Sequence, residues 1–415
     1  MTSHRQLHIS LAFLFIAIII FSFPASPQKI KAVPQNCAQG GICTMTFQGN
    51  PVDVNIDPQT IQNFDFVVST ANGVGVNVGT PSIVNYVDPS VPVVLYDNFV
   101  ERVEFNSAGC YNPWPQVNLP QNESWFLHDA QNQRIEHLYF TDFFEMNVNN
   151  QSYQDYTAQR ALDLLNCAPG IDGYFYDQTS EYSKWVPLHI NKSSCTLPCR
   201  DGSNQCTPQS CPIVECPQNC GPAILTQNQY ETNGVFPILQ RIKANLGSSR
   251  YLTVNGDYTG YTPYVDAQLY EGWIHPGSQS PLEFASKTSL ITQLNWMTQS
   301  VFSNKRIFVS PGLARRRTDG GAFSTPEDVE KILNFTFASY IIAKRNDSYV
   351  YFNFDDRTTA QSHDYRPELF DLNLGLASGN YYIVGSGSSD VYIRDYQKGK
   401  NTKSKRRSTA KGLFN

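Results

Sequence analysis

Short apolar runs, separated by stretches with helical spacing, constrain the fold of this 415-residue chain more than any other feature. Strands that alternate with helices predict a parallel sheet, because each helix returns the chain to the edge where the next strand starts. We predict eight strands, at residues 64–68, 91–96, 125–128, 170–177, 250–255, 267–271, 306–310 and 349–354. Eight strands favour a (β/α)8 barrel, the TIM-barrel fold of the α/β class, whose usual length is about 250 residues.

Four amphipathic stretches between these runs predict helices, at residues 151–165, 235–246, 281–301 and 324–344. The last has a clear start, because capping hydroxyls at Ser324 and Thr325 precede Pro326 and two acidic residues. The segment from Asp97 to Ser124 shows no helical pattern, so we expect an irregular barrel on that side.

The first residues predict export. Arg5 precedes an apolar run from Leu11 to Phe23, which is shorter than the roughly 20 residues needed to span a bilayer. This pattern is typical of a signal peptide, here residues 1–26, with an uncleaved membrane anchor as the alternative. We expect a secreted, extracellular protein with an N-terminal segment at 27–60, a barrel at 61–365 and a short C-terminal β-segment at 366–397.

The last residues, 398–415, carry seven Lys and Arg side chains and no acidic one. Such a segment can bind anionic surfaces, but a solvated disordered end is the more common structure. Aromatic residues are not interleaved with the basic ones, as they are in proteins that bind single-stranded nucleic acid. We therefore expect a disordered basic tail and no nucleic-acid partner.

The ten cysteines predict disulfides, because their number is even and the chain has features of an exported protein. Six lie in a Pro-rich insertion at 191–222, after the fourth strand, which we interpret as a disulfide-held flap or a tolerated surface insertion. No Cys-x-x-Cys pair occurs, so we expect no metal, and no cofactor is predicted. The cysteines are Cys37, Cys43, Cys110, Cys167, Cys195, Cys199, Cys206, Cys211, Cys216 and Cys220. Five sequons predict glycosylation, at Asn122, Asn150, Asn191, Asn334 and Asn346.

Two acidic residues stand where predicted strands end. Asp177 follows an apolar segment that starts at Ile171, and Glu271 closes the run that starts at Ala267. The carboxyl ends of barrel strands meet at one mouth, where TIM-barrel enzymes have their active sites. Asp177 on the fourth strand and Glu271 on the sixth can therefore face each other across a pocket. Glycoside hydrolysis uses such a pair of carboxylates, one on each side of the bond that is cleaved.

Structural roles are the alternative for both acids. Asp177 could cap the following segment, and Glu271 could pair with an arginine at 315–317. Other side chains near the strand ends are candidates for binding sugar, although core packing is the alternative for any single aromatic ring. These candidates are Tyr96, Asp97, Trp125, Tyr176, Asp257, Tyr270, Trp273, His275, Asp355 and Asp356. Asp172 lies at the start of its strand, away from the mouth, where we expect a structural role.

The segment Asp172-Gly173-Tyr174-Phe175-Tyr176-Asp177 resembles the D-G-(aromatic or aliphatic)-F-x-D strand of glycoside-hydrolase-like TIM barrels. These barrels are related to polygalactosaminidase-type enzymes and, more remotely, to α-galactosidases. Four further segments resemble their motifs in the same order, at 125–129, 269–273, 375–379 and 391–399. The resemblance covers most of residues 60–400 and implies a TIM barrel with Asp177 as nucleophile and Glu271 as acid/base. Two departures are Asn147, where these families often have Asp, and a C-terminal β-region that gives way to the basic tail.

These observations predict a secreted glycoside hydrolase that cleaves O-glycosidic bonds of an extracellular poly- or oligosaccharide, with retention of configuration. The alternative is a non-catalytic glycan-binding protein on the same scaffold, which would keep the aromatic residues and tolerate the loss of one acid. A third class, a disulfide-held structural or adhesion protein, predicts no deep pocket at the strand ends.

Overall fold

A computed structural model of the chain describes residues 41–48, 61–70, 83–85, 87–103, 112–128, 132, 134–135, 143–168, 170–177, 179, 188–190, 213–215, 228–276, 284–312, 326–346, 349–353, 366–384, 391–397 and 409–413. The predicted signal segment lies outside these residues. So do Asp355, Asp356, Asn191 and eight of the ten cysteines.

Eight parallel strands close into a barrel, as the alternating sequence pattern predicts. In order around the ring, they are β1 (Cys43–Gln48), β2 (Phe66–Ser69), β3 (Val93–Asp97), β6 (Gly173–Tyr176), β9 (Tyr251–Asn255), β10 (Ala267–Pro276), β11 (Arg306–Gly312) and β12 (Tyr349–Phe352). Each pairs with the next, and β1 pairs with β12 to complete the ring. The predicted (β/α)8 fold class is confirmed.

The strand predictions contain two errors: one barrel strand was not predicted, and one predicted strand does not form. The total of eight strands is therefore unchanged. The first barrel strand, β1, begins at Cys43, so the barrel starts earlier than the predicted residue 61. Its apolar side chains alternate with Thr44 and Thr46, so it lacks the continuous apolar run of a strand buried on both faces. Residues 125–128 are not a barrel strand: Trp125 ends a 3-10 helix, and Phe126 makes only an isolated bridge with Met146.

The α-helices of the described residues are α1 (Trp114–Val117), α2 (Gln151–Cys167), α3 (Phe236–Leu246), α4 (Lys287–Met297), α5 (Pro326–Ala343) and α6 (Pro367–Phe370). A π-helix at Gln229–Val235 runs directly into α3. The predicted helices at 151–165, 235–246 and 324–344 correspond closely to α2, α3 and α5, whereas α4 is shorter than the predicted 281–301. Between β9 and β10 there is only a 3-10 turn at Thr259–Tyr261, so this connection lacks the usual helix.

The core has an interior layer and an outer layer, because side chains of a strand alternate between its two faces. Met45, Phe66, Phe175 and Phe308 belong to the cluster that fills the barrel. The outward faces pack against α2 and α3 on one side and against α4 and α5 on the other.

An excursion from the barrel follows β3, where the sequence shows no helical pattern. It contains a two-stranded antiparallel sheet of β4 (Glu101–Val103) and β5 (Phe143–Glu145), together with α1. Its own small core joins Trp114, Trp125 and Phe126 to Tyr153 of α2. The barrel is irregular on this side, as expected.

The C-terminal segment forms a three-stranded antiparallel sheet of β13 (Tyr382–Val384), β14 (Val391–Asp395) and β15 (Thr409–Leu413). The strand β15 lies within the predicted disordered tail, and that part of the prediction is wrong because Thr409–Leu413 pairs with β14. A second small antiparallel pair, β7 (Leu188–Ile190) with β8 (Ile213–Glu215), borders and enters the cysteine-rich insertion.

Cys43 and Cys167 are each disulfide-bonded. Among the sequons, Asn122 is buried and its side-chain amide donates to the Gln116 carbonyl at 2.9 Å, which leaves little room for a glycan, whereas Asn334 is exposed on α5. Among the described residues, no helix has the length and apolar character that crossing a membrane would require.

Candidate active site

The carboxyl ends of four neighbouring strands, β3, β6, β9 and β10, bring Tyr96, Asp177, Asn255 and Glu271 together. The alternation of side chains explains why these residues share one face. On β6, Phe175 belongs to the barrel interior, whereas Tyr174 and Tyr176 belong to the outer layer. Asp177, two residues after Phe175, therefore follows the inward direction at the mouth of the barrel.

One side-chain amide joins the two carboxylates. The Nδ2 atom of Asn255 donates to Asp177 Oδ1 at 2.7 Å and to Glu271 Oε2 at 2.8 Å. These two bonds limit the separation of the accepting oxygens to at most about 5.5 Å, the range found between the two carboxyl groups of retaining glycosidases. The predicted pair therefore lies close together on the same side of the barrel.

The second oxygen of Asp177 also has a donor. The Tyr96 hydroxyl donates to Asp177 Oδ2 at 2.6 Å, so both oxygens of this carboxylate accept a hydrogen bond. Hydrogen bonds to a charged carboxylate favour its ionised form. Tyr96 thus contacts an acid of the pair, a different contact from the sugar stacking that the sequence predicts for it.

The backbone around Asp177 is fixed on both sides. Its N–H donates to the carbonyl of Asp97 on β3 at 3.0 Å. Two residues later, the hydroxyl of the buried Thr179 donates to the backbone carbonyl of Asn255 at 2.7 Å. The Thr179 carbonyl in turn accepts the hydroxyls of Tyr230, in the π-helix, and Tyr261, in the β9–β10 connection.

Glu271 is exposed, and the backbone changes direction directly after it. Gly272 has φ 70°, and Ile274 has φ 64°, which is unusual for a β-branched residue. The Gln293 side chain of α4 holds this bend by accepting the Ile274 N–H. As a consequence, Trp273 and His275 are fully buried, so neither predicted sugar-binding side chain is accessible at the mouth.

Asp97 and Tyr176 also point away from the mouth, because they occupy the outward positions of β3 and β6. The Asp97 carboxylate is buried, with Arg102 Nη1 at 2.9 Å and Arg160 Nε at 3.7 Å, so its charge is balanced inside the protein. Tyr176 is 1% exposed and packs its ring edge against Phe99 at 5.1 Å. The predicted sugar contacts of these two residues are wrong on this geometry.

The remaining described candidates lie outside the mouth or at its edge. Trp125 belongs to the excursion, where its indole N–H donates to Ser152 at 2.7 Å. Tyr270 faces outward against the ring of Trp296; burial and the Asp257 carboxylate, to which it is hydrogen-bonded, raise its pKa to about 12. Asp257 is exposed at the start of the β9–β10 connection.

Asn255 is not among the residues predicted from the sequence, although a signal is present. An Asn ends the apolar run Tyr251–Asn255, at the same position relative to its strand as Asp177 and Glu271. An acid at a strand end indicates chemistry directly, whereas a neutral amide at the same position does not. Within the described part of the chain, no group of three or more His, Cys, Asp or Glu is arranged to hold a metal ion.

Residues 86–204 match the model of a family described as hypothetical glycosyl hydrolase family 15. The match contains β3, β6 and Asp177, and ends before Asn255 and Glu271. It confirms, for that segment, the resemblance that the motifs indicated, and it supports a glycoside hydrolase. No curated protein is significantly similar in sequence to this chain.

Solved structures with a similar arrangement include the glycoside hydrolase domain of PelA from Pseudomonas aeruginosa, with 11% identity, 74% of this chain and 93% of that chain covered, and a TM-score of 0.42. Aspergillus fumigatus Ega3, in complex with galactosamine, is 10% identical over 80% of this chain and 96% of that chain, with a TM-score of 0.39. The GH36 alpha-galactosidase AgaA from Geobacillus stearothermophilus is 11% identical over 87% of this chain and 46% of that chain, with a TM-score of 0.41.

Proposed function

We propose that this protein is a glycoside hydrolase that cleaves its substrate with retention of configuration, with Asp177 and Glu271 as the reacting carboxylates. The observation that carries the proposal is the amide of Asn255, which binds both carboxylates through one nitrogen atom. An inverting enzyme needs about 6.5–9.5 Å between its carboxyl groups to admit a water molecule, and a retaining one needs only about 5–5.5 Å. A limit of about 5.5 Å between the bonded oxygens favours retention.

The surroundings of the two acids favour different roles for them. Asp177 accepts hydrogen bonds on both oxygens, from Tyr96 and Asn255, which hold its carboxylate in one orientation and suit a nucleophile. Glu271 is exposed and can reach both a leaving group and solvent, which suits a group that must give and take a proton.

The reaction then proceeds in two steps. Asp177 attacks the anomeric carbon while Glu271 gives its proton to the leaving-group oxygen, so a glycosyl ester forms and the glycosidic bond breaks. In the second step, Glu271 takes a proton from water, and the resulting oxygen attacks the anomeric carbon and releases Asp177. The enzyme returns to its starting protonation state, and two substitutions at one carbon leave its configuration unchanged.

The substrate class in this proposal is a poly- or oligosaccharide outside the cell. Three features support it: the apolar N-terminal run typical of a signal peptide, the disulfides of Cys43 and Cys167, and the exposed sequon residue Asn334. None of these features specifies the sugar.

A panel of 4-nitrophenyl glycosides in both anomeric forms, together with a set of polysaccharides assayed for new reducing ends, tests the activity. We expect the wild type to cleave at least one member, and the Asp177→Asn and Glu271→Gln variants to lose that cleavage while remaining folded. A glycan array measures binding separately from cleavage. A glycan that binds but is never cleaved would favour the non-catalytic binding protein.

The stereochemistry is tested separately by proton NMR of the first product. Retention predicts that the anomer of the substrate appears before mutarotation. The opposite anomer as first product would contradict a covalent intermediate on Asp177, even if the enzyme were active.

A further inference from the structure

We infer that Asn255 is the positioning residue of the carboxylate pair, and that Thr179 holds Asn255 in place; this inference rests on the proposed function. Both hydrogens of the Asn255 amide are directed to carboxylate oxygens, at 2.7 Å for Asp177 and 2.8 Å for Glu271. A primary amide has two donors on one nitrogen, so it can fix the distance between two acceptors in a way that a hydroxyl, with one donor, cannot.

Asn255 is itself held by the segment that follows Asp177. The Thr179 hydroxyl donates to the backbone carbonyl of Asn255 at 2.7 Å, and Thr179 is completely buried. The hydroxyls of Tyr230 and Tyr261 bind the Thr179 carbonyl at 3.1 and 2.6 Å. Because Thr179 is inaccessible, it cannot contact a sugar, and its effect on the reaction must pass through Asn255 and Asp177.

The amide also addresses the electrostatic difficulty of the pair. Two carboxylates about 5 Å apart repel each other when both are ionised. A neutral amide between them supplies positive hydrogens to both without adding charge. Among the described residues, the Asn255 amide binds Asp177 and Glu271, Tyr96 of β3 binds the other oxygen of Asp177, and Asp257 follows Asn255 in the β9–β10 connection.

The substitutions Asn255→Ala and Asn255→Asp separate positioning from simple support of the fold. Removal of one preorganised donor lowers kcat by about 10²-fold in comparable sites, and we expect this loss for Asn255→Ala. In the pH profile of kcat/KM for Asn255→Ala, the acidic limb should move to higher pH, because the variant lacks a donor that favours the ionised form of Asp177. Asn255→Asp has almost the same shape but adds a third carboxylate, so we expect a larger shift of the same limb.

Thr179→Val removes the hydroxyl that holds Asn255 and keeps the shape of the side chain. We expect kcat to fall about tenfold with a smaller change in KM, the equivalent of one hydrogen bond. The matched control is Thr262→Val, because Thr262, in the β9–β10 connection, is also buried and donates its hydroxyl to the Gln268 side chain of β10 at 2.7 Å, without contacting the pair. This control should keep the wild-type kcat and pH profile.

A readout that needs no substrate makes the inference independent of the assay. The melting temperature of Asn255→Asp should be a few degrees below that of the wild type at pH 7 but close to it at pH 4, because three ionised carboxylates repel each other only at the higher pH. Asn255→Ala should show no such dependence on pH.

The outcomes distinguish this inference from the proposed function. If Asp177→Asn and Glu271→Gln abolish cleavage but the Asn255 variants keep the wild-type pH profile, positioning by Asn255 is refuted and the proposed function stands. If Asp177→Asn or Glu271→Gln keeps activity, the proposed function fails. An equal melting-temperature difference at pH 4 and pH 7 for Asn255→Asp would refute the bridging amide on its own.

Discussion

Aspartates lie at both ends of the barrel strands, and the two ends use them differently. At the amino end, Asp65, Asp172 and Asp266 directly precede β2, β6 and β10. Each accepts a backbone N–H from the neighbouring strand, at 2.9 Å from Thr44, 2.8 Å from Val93 and 2.9 Å from Leu252. The same contact therefore occurs three times around the base of the barrel and ties three pairs of strands together.

At the carboxyl end, Asp177 and Glu271 accept hydrogen bonds from side chains. Their partners are the hydroxyl of Tyr96 and the amide of Asn255, and Glu271 is exposed. The end of the strand and the face to which the side chain points together decide what an acid there does, since Asp97 also ends a strand but points outward and is buried. At the base, a carboxylate stabilises the start of a strand; at the mouth, it remains accessible for chemistry.

Catalysis should depend strongly on the acid at the mouth and hardly at all on the acid at the base. Asp177→Asn should lower kcat/KM by at least about 10³-fold, because the amide cannot act as the nucleophile. Asp172→Asn, five residues earlier at the base, should change kcat/KM per folded molecule by less than about threefold and lower the melting temperature. Cleavage of the same glycoside by both variants is the measurement, and a comparable loss in both would contradict the division of roles.

The next effect is on stability. Asp266 accepts the Leu252 N–H and also pairs with Lys243 at 2.5 Å, so Asp266→Ala leaves two partly buried donors without this acceptor. We expect the free energy of unfolding to fall by about 2–4 kcal/mol, measured by urea titration. The control is Asp155→Ala, whose ion pair with Arg241 is exposed and should contribute less than about 1 kcal/mol. Equal losses would show that the base contact stabilises no more than a surface pair.

A third effect depends on pH. Burial raises the pKa of Asp65 from 3.8 to about 6, against the hydrogen bonds from Thr44 that lower it. Because the folded state holds this proton more tightly than the unfolded state, the contribution of Asp65 is fully present below about pH 4 and is lost as the pH rises through about 6. The stability of the wild type relative to Asp65→Asn should therefore decrease by roughly 1–3 kcal/mol between pH 4 and pH 7. Urea titrations of both proteins across this range measure it, and a difference that rises with pH would contradict the buried carboxyl.

The barrel could be predicted from the sequence because most of its strands are runs of mainly apolar residues, such as Val93–Asp97 and Tyr349–Phe352. The strand β1 was not predicted because threonines occupy its outward positions. The strand predicted around Trp125 was wrong because an apolar run can also form the core of an excursion.

Some residues of the candidate site could be predicted from the sequence, and others could not. Asp177 and Glu271 follow from the rule that acids at strand ends meet at one mouth. The alternation of faces on each strand then excludes Tyr176 and Asp97, a distinction that depends on register and not on composition. The position of Asn255 at the end of its strand is visible in the sequence, but its bridging role is not, because the bridge depends on three strands at once.

At the mouth itself, we expect a smaller change in rate from the loss of one hydroxyl. Tyr96→Phe removes the hydroxyl that donates to Asp177 at 2.6 Å and leaves the ring in place against Phe175. We expect kcat/KM to fall about tenfold, the equivalent of one hydrogen bond to a charged group. The acidic limb of the pH profile should move upward, because a donor that favours ionised Asp177 is lost. A variant with the same loss and an unmoved limb would indicate that Tyr96 contacts the substrate, as the sequence first predicted, and not the nucleophile.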